Sequence, residues 1–170
     1  MVSRSKTIFK GKIIKLYLQK HKLPNGVSVE IELIKHPGAV LIVPFLSKDK
    51  IILIRQFRTV IGSYLWELPA GTLKKGEILA FCAKRELIEE TGYEAGTFRR
   101  IGFIYPAPGY TTEKIIIYKA TGLKKVQAKT EADEIIESRI FSKNEARKLF
   151  KAGLINDAKT ICALKLANII

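Results

Sequence analysis

The chain predicts an α+β fold, a mixed sheet covered by helices in an α/β/α sandwich, with a β-hairpin at its amino-terminal end. Three observations carry this. Strand-like segments crowd the first third and return after the middle; one strong helix lies between the two groups; two helical segments close the sequence. The 170 residues suit a single core, and neither an internal repeat nor a linker divides them. Residues 1–35 read as a strand and hairpin region, and 36–170 as the main domain.

Residues 7–18, rich in Ile, Tyr and Phe, read as a strand. Pro24-Asn25-Gly26 is a turn, because Asn-Gly tolerates positive φ. Over 27–34, Val27, Val29, Ile31 and Leu33 alternate with polar residues, which predicts a hairpin strand with one wet face. His36-Pro37-Gly38 ends it. The apolar run 39–46 reads as a buried strand, 47–50 as a turn and 51–57 as a returning strand. Residues 65–71 look short and irregular. The strongest helix spans 77–91, with Gly92 as its cap; Ala80, Ala83, Leu87 and Thr91 share its packing face. Strands follow at 101–105, 115–118 and 135–141. Ser142-Lys143-Asn144-Glu145 is a capping box that opens a helix ending near Gly153, and 157–169 form the last helix.

The net charge is +14, a balance that favours phosphorylated or polyanionic partners; a lysine-coated surface is the plainer alternative. Most of the 16 acidic residues nevertheless fall between Glu67 and Glu137, which suggests a cation site there. No apolar run is long enough to span a membrane and the first residues lack a signal-like stretch, so a soluble, cytoplasmic protein is expected. Cys82 and Cys162 sit in helix-like segments among apolar neighbours and read as buried free thiols; an inter-helix disulfide is the alternative.

The chemistry concentrates in Gly71 to Tyr93. On a helix, Glu86, Glu89 and Glu90 project to one side, and like charges at this spacing repel. A divalent cation would relieve that repulsion, and hard oxygen ligands select Mg²⁺ or Mn²⁺ over zinc. Alone, such a cluster also reads as a solvated acidic face. The string as a whole, however, resembles the Nudix signature: Gly71, Glu77, Arg85, Glu86, Leu87, Glu89, Glu90 and Gly92 fall in register, and Tyr93 replaces an aliphatic residue.

That resemblance implies a Nudix-like sandwich over 36–170 and a role for each matched residue. Glu86, Glu89 and Glu90, with the carbonyl of Ala70, would hold two or three Mg²⁺ ions, Mn²⁺ being the alternative. Arg85 would orient the carboxylates of Glu89 or Glu77, and Glu77 would be structural. The segments His36-Pro37-Gly38, Arg55-Gln56-Phe57-Arg58, Trp66-Glu67-Leu68-Pro69-Ala70 and Pro106-Ala107-Pro108-Gly109 resemble the ADP-ribose pyrophosphatase branch, as does 153–160. Arg58 would contact a substrate phosphate through its fork, with a surface ion pair as the alternative. Glu67, Pro108, Gly109 and Glu113 join it as candidate substrate contacts. Ile31 stands where some members of the branch carry an arginine.

The resemblance implies Mg²⁺-dependent hydrolysis of the ADP-ribose diphosphate to AMP and ribose 5-phosphate, with a base on a loop after the box. Glu134 is the preferred base, with Glu131 and Asp133 as alternatives and Glu89 and Arg85 as further catalytic residues. A homodimer exchanging the region 1–35 is also implied. Rival readings are a pyrophosphatase for GDP-mannose or a dinucleotide, one for nucleoside triphosphates or RNA caps, and a non-catalytic RNA-binding module of the same fold. Intact box carboxylates argue against nucleic acid as the partner.

Overall fold

A computed structural model describes residues 2–11, 14–127 and 135–170. Its first sheet is an antiparallel meander of β1 (Val2–Lys10), β2 (Lys15–Lys22) and β3 (Ser28–Lys35). The stretch expected as one strand over 7–18 is therefore two. The chain reverses between Lys10 and Lys15, which pair across the turn, and the Gly11 N–H donates to the Ile14 carbonyl at 2.9 Å. Apolar composition alone could not reveal this reversal. The second turn forms at Pro24-Asn25-Gly26: Gly26 takes φ 85° and the Val27 N–H donates to Asn25 Oδ1 at 3.1 Å.

The core is organised by β4 (Ala39–Pro44), every residue of which is buried. It lies inside a four-stranded sheet ordered β7–β4–β9–β8, with β7 spanning Ala70–Thr72, β8 Tyr93–Ile104 and β9 Ile115–Lys125. The pairing of β4 with β9 is parallel and the others are antiparallel, so the sheet is mixed. Alternation along β4 divides the interior. Val40 and Ile42 meet Cys82, Ala83 and Leu87 of helix α1 (Leu79–Thr91) on one face. Leu41 and Val43 enter a larger core on the other face. That core includes Leu53 of β5 (Lys50–Arg58), Ala146 of α2 (Lys143–Lys151) and Leu164 of α3 (Ala158–Leu166). Each fully buried Leu or Ile contributes about 1.5–3 kcal/mol.

A third sheet, ordered β10–β5–β6, uses β6 (Ser63–Glu67) and β10 (Ile136–Ser142). The segment expected to be irregular thus overlaps two strands, β6 and β7, short enough that pairing rather than periodicity defines them. Strand β8 begins directly after the Gly92 cap, where no strand was expected, because Tyr93 to Arg100 gain their order from the register with β9. Gly92 caps α1 at φ 70°, and Ser142 and Glu145 form the reciprocal capping box of α2. Two side-chain expectations need correction. Ala80 is exposed in the first turn of α1 while Cys82 takes an inward position, and Cys162 is exposed on α3 rather than buried; both thiols are free. Among the described residues no helix is long and apolar enough to cross a membrane.

Candidate active site

The edge strand β7, the end of β5 and one side of α1 enclose a cleft of about 380 Å³. Its walls include Gln56, Arg58, Ala70, Gly71, Lys74, Arg85, Glu86, Glu89 and Glu90. Helical spacing brings the three α1 carboxylates to one side, and β7 brings backbone up against them. The Ala70 N–H donates to Glu90 Oε2 at 3.0 Å. Gly71 passes so close to Glu86 that a Cβ there would stand 1.8 Å from Glu86 Oε1. Any side chain at 71 would displace that carboxylate, which is why glycine occupies the position.

Arg85 ties this wall together. Its Nε and Nη2 donate to Glu77 Oε1 and Oε2 at 2.9 and 3.0 Å, and Nη1 donates to Glu86 at 2.6 Å and to Glu89 at 3.0 Å. Glu77 also accepts from the Lys74 N–H at 2.9 Å. The Arg85 fork, helped by that backbone N–H, holds the Glu77 carboxyl down at about 2. In return, hydrogen bonding to Glu77 first, then the charge of Glu86 and hydrogen bonds to Glu86 and Glu89, raise Arg85 above its ordinary range despite burial. Beneath them, burial first and then the Glu77 and Glu86 charges push the Cys82 thiol up to about 12, so it stays protonated and unreactive.

The opposite wall carries Arg58. Its Nε and Nη2 fork onto Glu67 Oε1 and Oε2 at 2.7 and 2.6 Å. Glu67 is 0% exposed, and its Oε2 also accepts from Lys159 Nζ. Lys159 donates in addition to Asp157 Oδ1 at 2.9 Å, and Asp157 caps α3 by accepting from the Thr160 N–H. Burial pushes the Glu67 carboxyl up, but Arg58 and Lys159 outweigh it and leave the group below its ordinary range. Glu67 thus holds Arg58 at the cleft.

The remaining candidates stand outside this cleft. Pro108 lines a neighbouring cavity of about 450 Å³ with Tyr105, Pro106 and Lys159. Gly109 lies in the same loop, which is stitched to the end of β3 by Ile34 N–H to Tyr110 carbonyl (2.7 Å) and Thr112 N–H to Ile34 carbonyl (3.0 Å). Glu113 sits 3.8 Å from His36. Glu131, Asp133 and Glu134 lie outside the described residues. Sequence reasoning did not single out Lys159 or Asp157. The Asp157-x-x-Thr160 capping pattern was their only signal, and it said nothing of Glu67, 92 residues away from Lys159.

The chain has relatives among known proteins. A NUDIX domain model matches residues 35–164. The chain is 39% identical over 160 residues to the ADP-ribose pyrophosphatase of Bacillus subtilis (strain 168), covering 93% of this chain and 86% of that protein. It is 35% identical over 164 residues to the methanol dehydrogenase activator of Bacillus methanolicus, covering 95% and 89%. The crystal structure of an ADP compounds hydrolase superposes with a TM-score of 0.86 at 25% identity, covering 99% of this chain and 91% of that one. The chain therefore belongs to the NUDIX domain family and is a Nudix hydrolase.

Nudix hydrolases generally use divalent metal ions, and the cleft fits such an ion. Its donors are hard oxygens. The Gly71 cradle keeps the Glu86 carboxylate against the backbone. Gln56 Oε1, buried in the cleft wall, has no hydrogen-bond partner among the described residues. As placed, no three His, Cys, Asp or Glu side chains among the described residues form a group that could hold a metal ion. Arg85 holds two of the α1 carboxylates, and an arriving cation would share their oxygens with it.

Proposed function

We propose that this hydrolase cleaves the diphosphate of ADP-ribose, with water adding to one phosphorus as the bridging P–O bond breaks, to give AMP and ribose 5-phosphate. The observation that carries the reading is the opposition within one cleft of three carboxylates on α1 and the anchored fork of Arg58. The name borne by the Bacillus subtilis relative supports the choice of substrate.

Glu86, Glu89, Glu90 and the Ala70 carbonyl would hold Mg²⁺ or Mn²⁺, two or three ions per site, whose chemistry is to neutralise the diphosphate and lower the pKa of bound water. The chain's own residues do the rest. Arg58 meets a phosphate oxygen from the other wall, and Glu67 with Lys159 fixes its direction so that little rotamer entropy is lost on binding. Arg85 keeps Glu86 and Glu89 in place, and Glu77 anchors Arg85. The Ala70 N–H fixes Glu90. Glu134, or its neighbours Glu131 and Asp133, takes the proton of the attacking water. Pro108, Gly109 and Glu113 contact the sugar side of the substrate.

Incubation with ADP-ribose and Mg²⁺, with products separated by chromatography, tests the reading: AMP and ribose 5-phosphate are expected. Faster turnover of GDP-mannose in a substrate panel would overturn it. We further propose that residues 1–35 form an exchanged dimer arm, because β1 exposes Ile8 and Phe9 and the turn before β3 exposes Val27. A single monomeric species in sedimentation equilibrium would remove the dimer, and a cytoplasmic location is proposed with it.

A further inference from the structure

A cavity of about 480 Å³ lies away from the hydrolytic cleft. It is lined by Phe45 and the loop Leu46-Ser47-Lys48, by Lys119, Thr121 and Gly122 of β9, by Lys143 at the start of α2 and by Ala167 after α3. It shares no lining residue with the cleft. Strand β5 separates the two: Lys48 precedes its first residue and Gln56 lies near its last, roughly 25 Å apart along an extended chain.

We propose that this cavity binds a small, multiply charged phosphorylated anion. The Lys119 and Lys143 ammonium groups stand 4.5 and 5.4 Å from the centroid of the same Phe45 ring, so they lie within about 10 Å of each other. Phe45 is only 5% exposed and serves as an apolar floor rather than a stacking platform. Both lysines are half-buried. Among the described residues neither forms an ion pair, and no carboxylate lines the cavity. The nearby Glu145 carboxylate is occupied by the Ser142 N–H and hydroxyl in the capping box. Lys48 adds a third positive charge at the rim, and Arg99, directly across from Lys119 in the β8–β9 register, adds a fourth on the same face of the sheet.

Half-buried like charges at this separation repel one another with little screening, since the Debye length is about 10 Å at 0.1 M salt. An oxyanion placed between them removes the repulsion and accepts hydrogen bonds from the ammonium groups and from the Thr121 and Ser47 hydroxyls. Inorganic phosphate would leave most of the volume empty, whereas an oligophosphate or a phosphorylated small molecule matches both the space and the charge. The walls formed by the 45–48 loop and the end of α3 close the cavity on two sides, which favours a small molecule over a continuous nucleic-acid strand.

The test is calorimetric titration of the full chain with inorganic tripolyphosphate, stripped of metal by chelation so that the carboxylate cleft repels the probe. At about 0.15 M salt, where screening acts beyond about 8 Å, wild type should bind one equivalent. Lys119→Gln with Lys143→Gln should weaken binding at least about tenfold, and Lys143→Gln alone by a smaller factor should the double variant melt without cooperativity. The charge-matched pair Lys151→Gln with Lys165→Gln should bind as wild type does, and Mg²⁺-dependent hydrolysis should be unchanged in all of them. Absent binding to wild type, or equal weakening in the charge-matched pair, would overturn the proposal. So would tighter binding of a single-stranded oligonucleotide that the Lys119 and Lys143 changes leave unaffected.

Discussion

Two ionic networks face each other across the cleft, and they are built to opposite rules. On α1, one guanidinium, Arg85, serves three carboxylates and remains 22% exposed. On the other wall, one fully buried carboxylate, Glu67, is shared by two cations, and Asp157 balances the second of them. The first network carries surplus negative charge beside open volume, which is what a cation site requires. The second is charge-balanced and closed, which is what a fixed anchor for Arg58 requires. Charge surplus marks the wall proposed to receive the cation, and charge balance marks the wall that holds its shape.

That contrast can be broken most sharply at Glu90. Glu90→Gln keeps the acceptor for the Ala70 N–H but removes the charge, so kcat should fall on the order of 10³-fold with the thermal midpoint nearly unchanged. Near-normal turnover would mean that the α1 wall does not hold the metal. Glu67→Gln should act in the other sense. Removing a fully buried charge shared by two cations should cost about 3 kcal/mol in urea unfolding, whereas Arg85→Gln, in its wetter network, should cost only about 1–2 kcal/mol. Equal losses would erase the distinction between the walls.

Arg58→Ala leaves the α1 wall intact and removes only the opposing fork. KM should rise about 10- to 100-fold with kcat little changed, and unchanged steady-state kinetics would remove Arg58 from the substrate site. The smallest effect concerns acid. Glu77 sits at about 2 in the folded protein against an ordinary 4.5. Its contribution is complete above the ordinary value and disappears as pH falls toward 2, because protonation then favours the unfolded chain. Glu77→Gln should therefore flatten the loss of stability between about pH 4.5 and pH 2, measured by denaturant midpoints. An unaltered acid limb would show that Arg85 does not depend on Glu77.

Much of this was legible in the chain because it is local. The spacing of Glu86, Glu89 and Glu90 follows from helical periodicity, Gly92 from the left-handed cap, Ser142 with Glu145 from reciprocal capping, and the burial of β4 from its uninterrupted apolar run. The reversal at Gly11 and the strands β6, β7 and β8 were not legible, since their order comes from register with partners elsewhere.

The sequence by itself determined that one helix would present a row of carboxylates behind a glycine, because period and spacing are properties of a short segment. Only the tertiary structure decided that Lys159 would reach Glu67, that Pro108 would line a separate cavity, and that Lys119 and Lys143 would meet over Phe45. Those encounters join distant segments, and their geometry is set by how the sheets and helices pack.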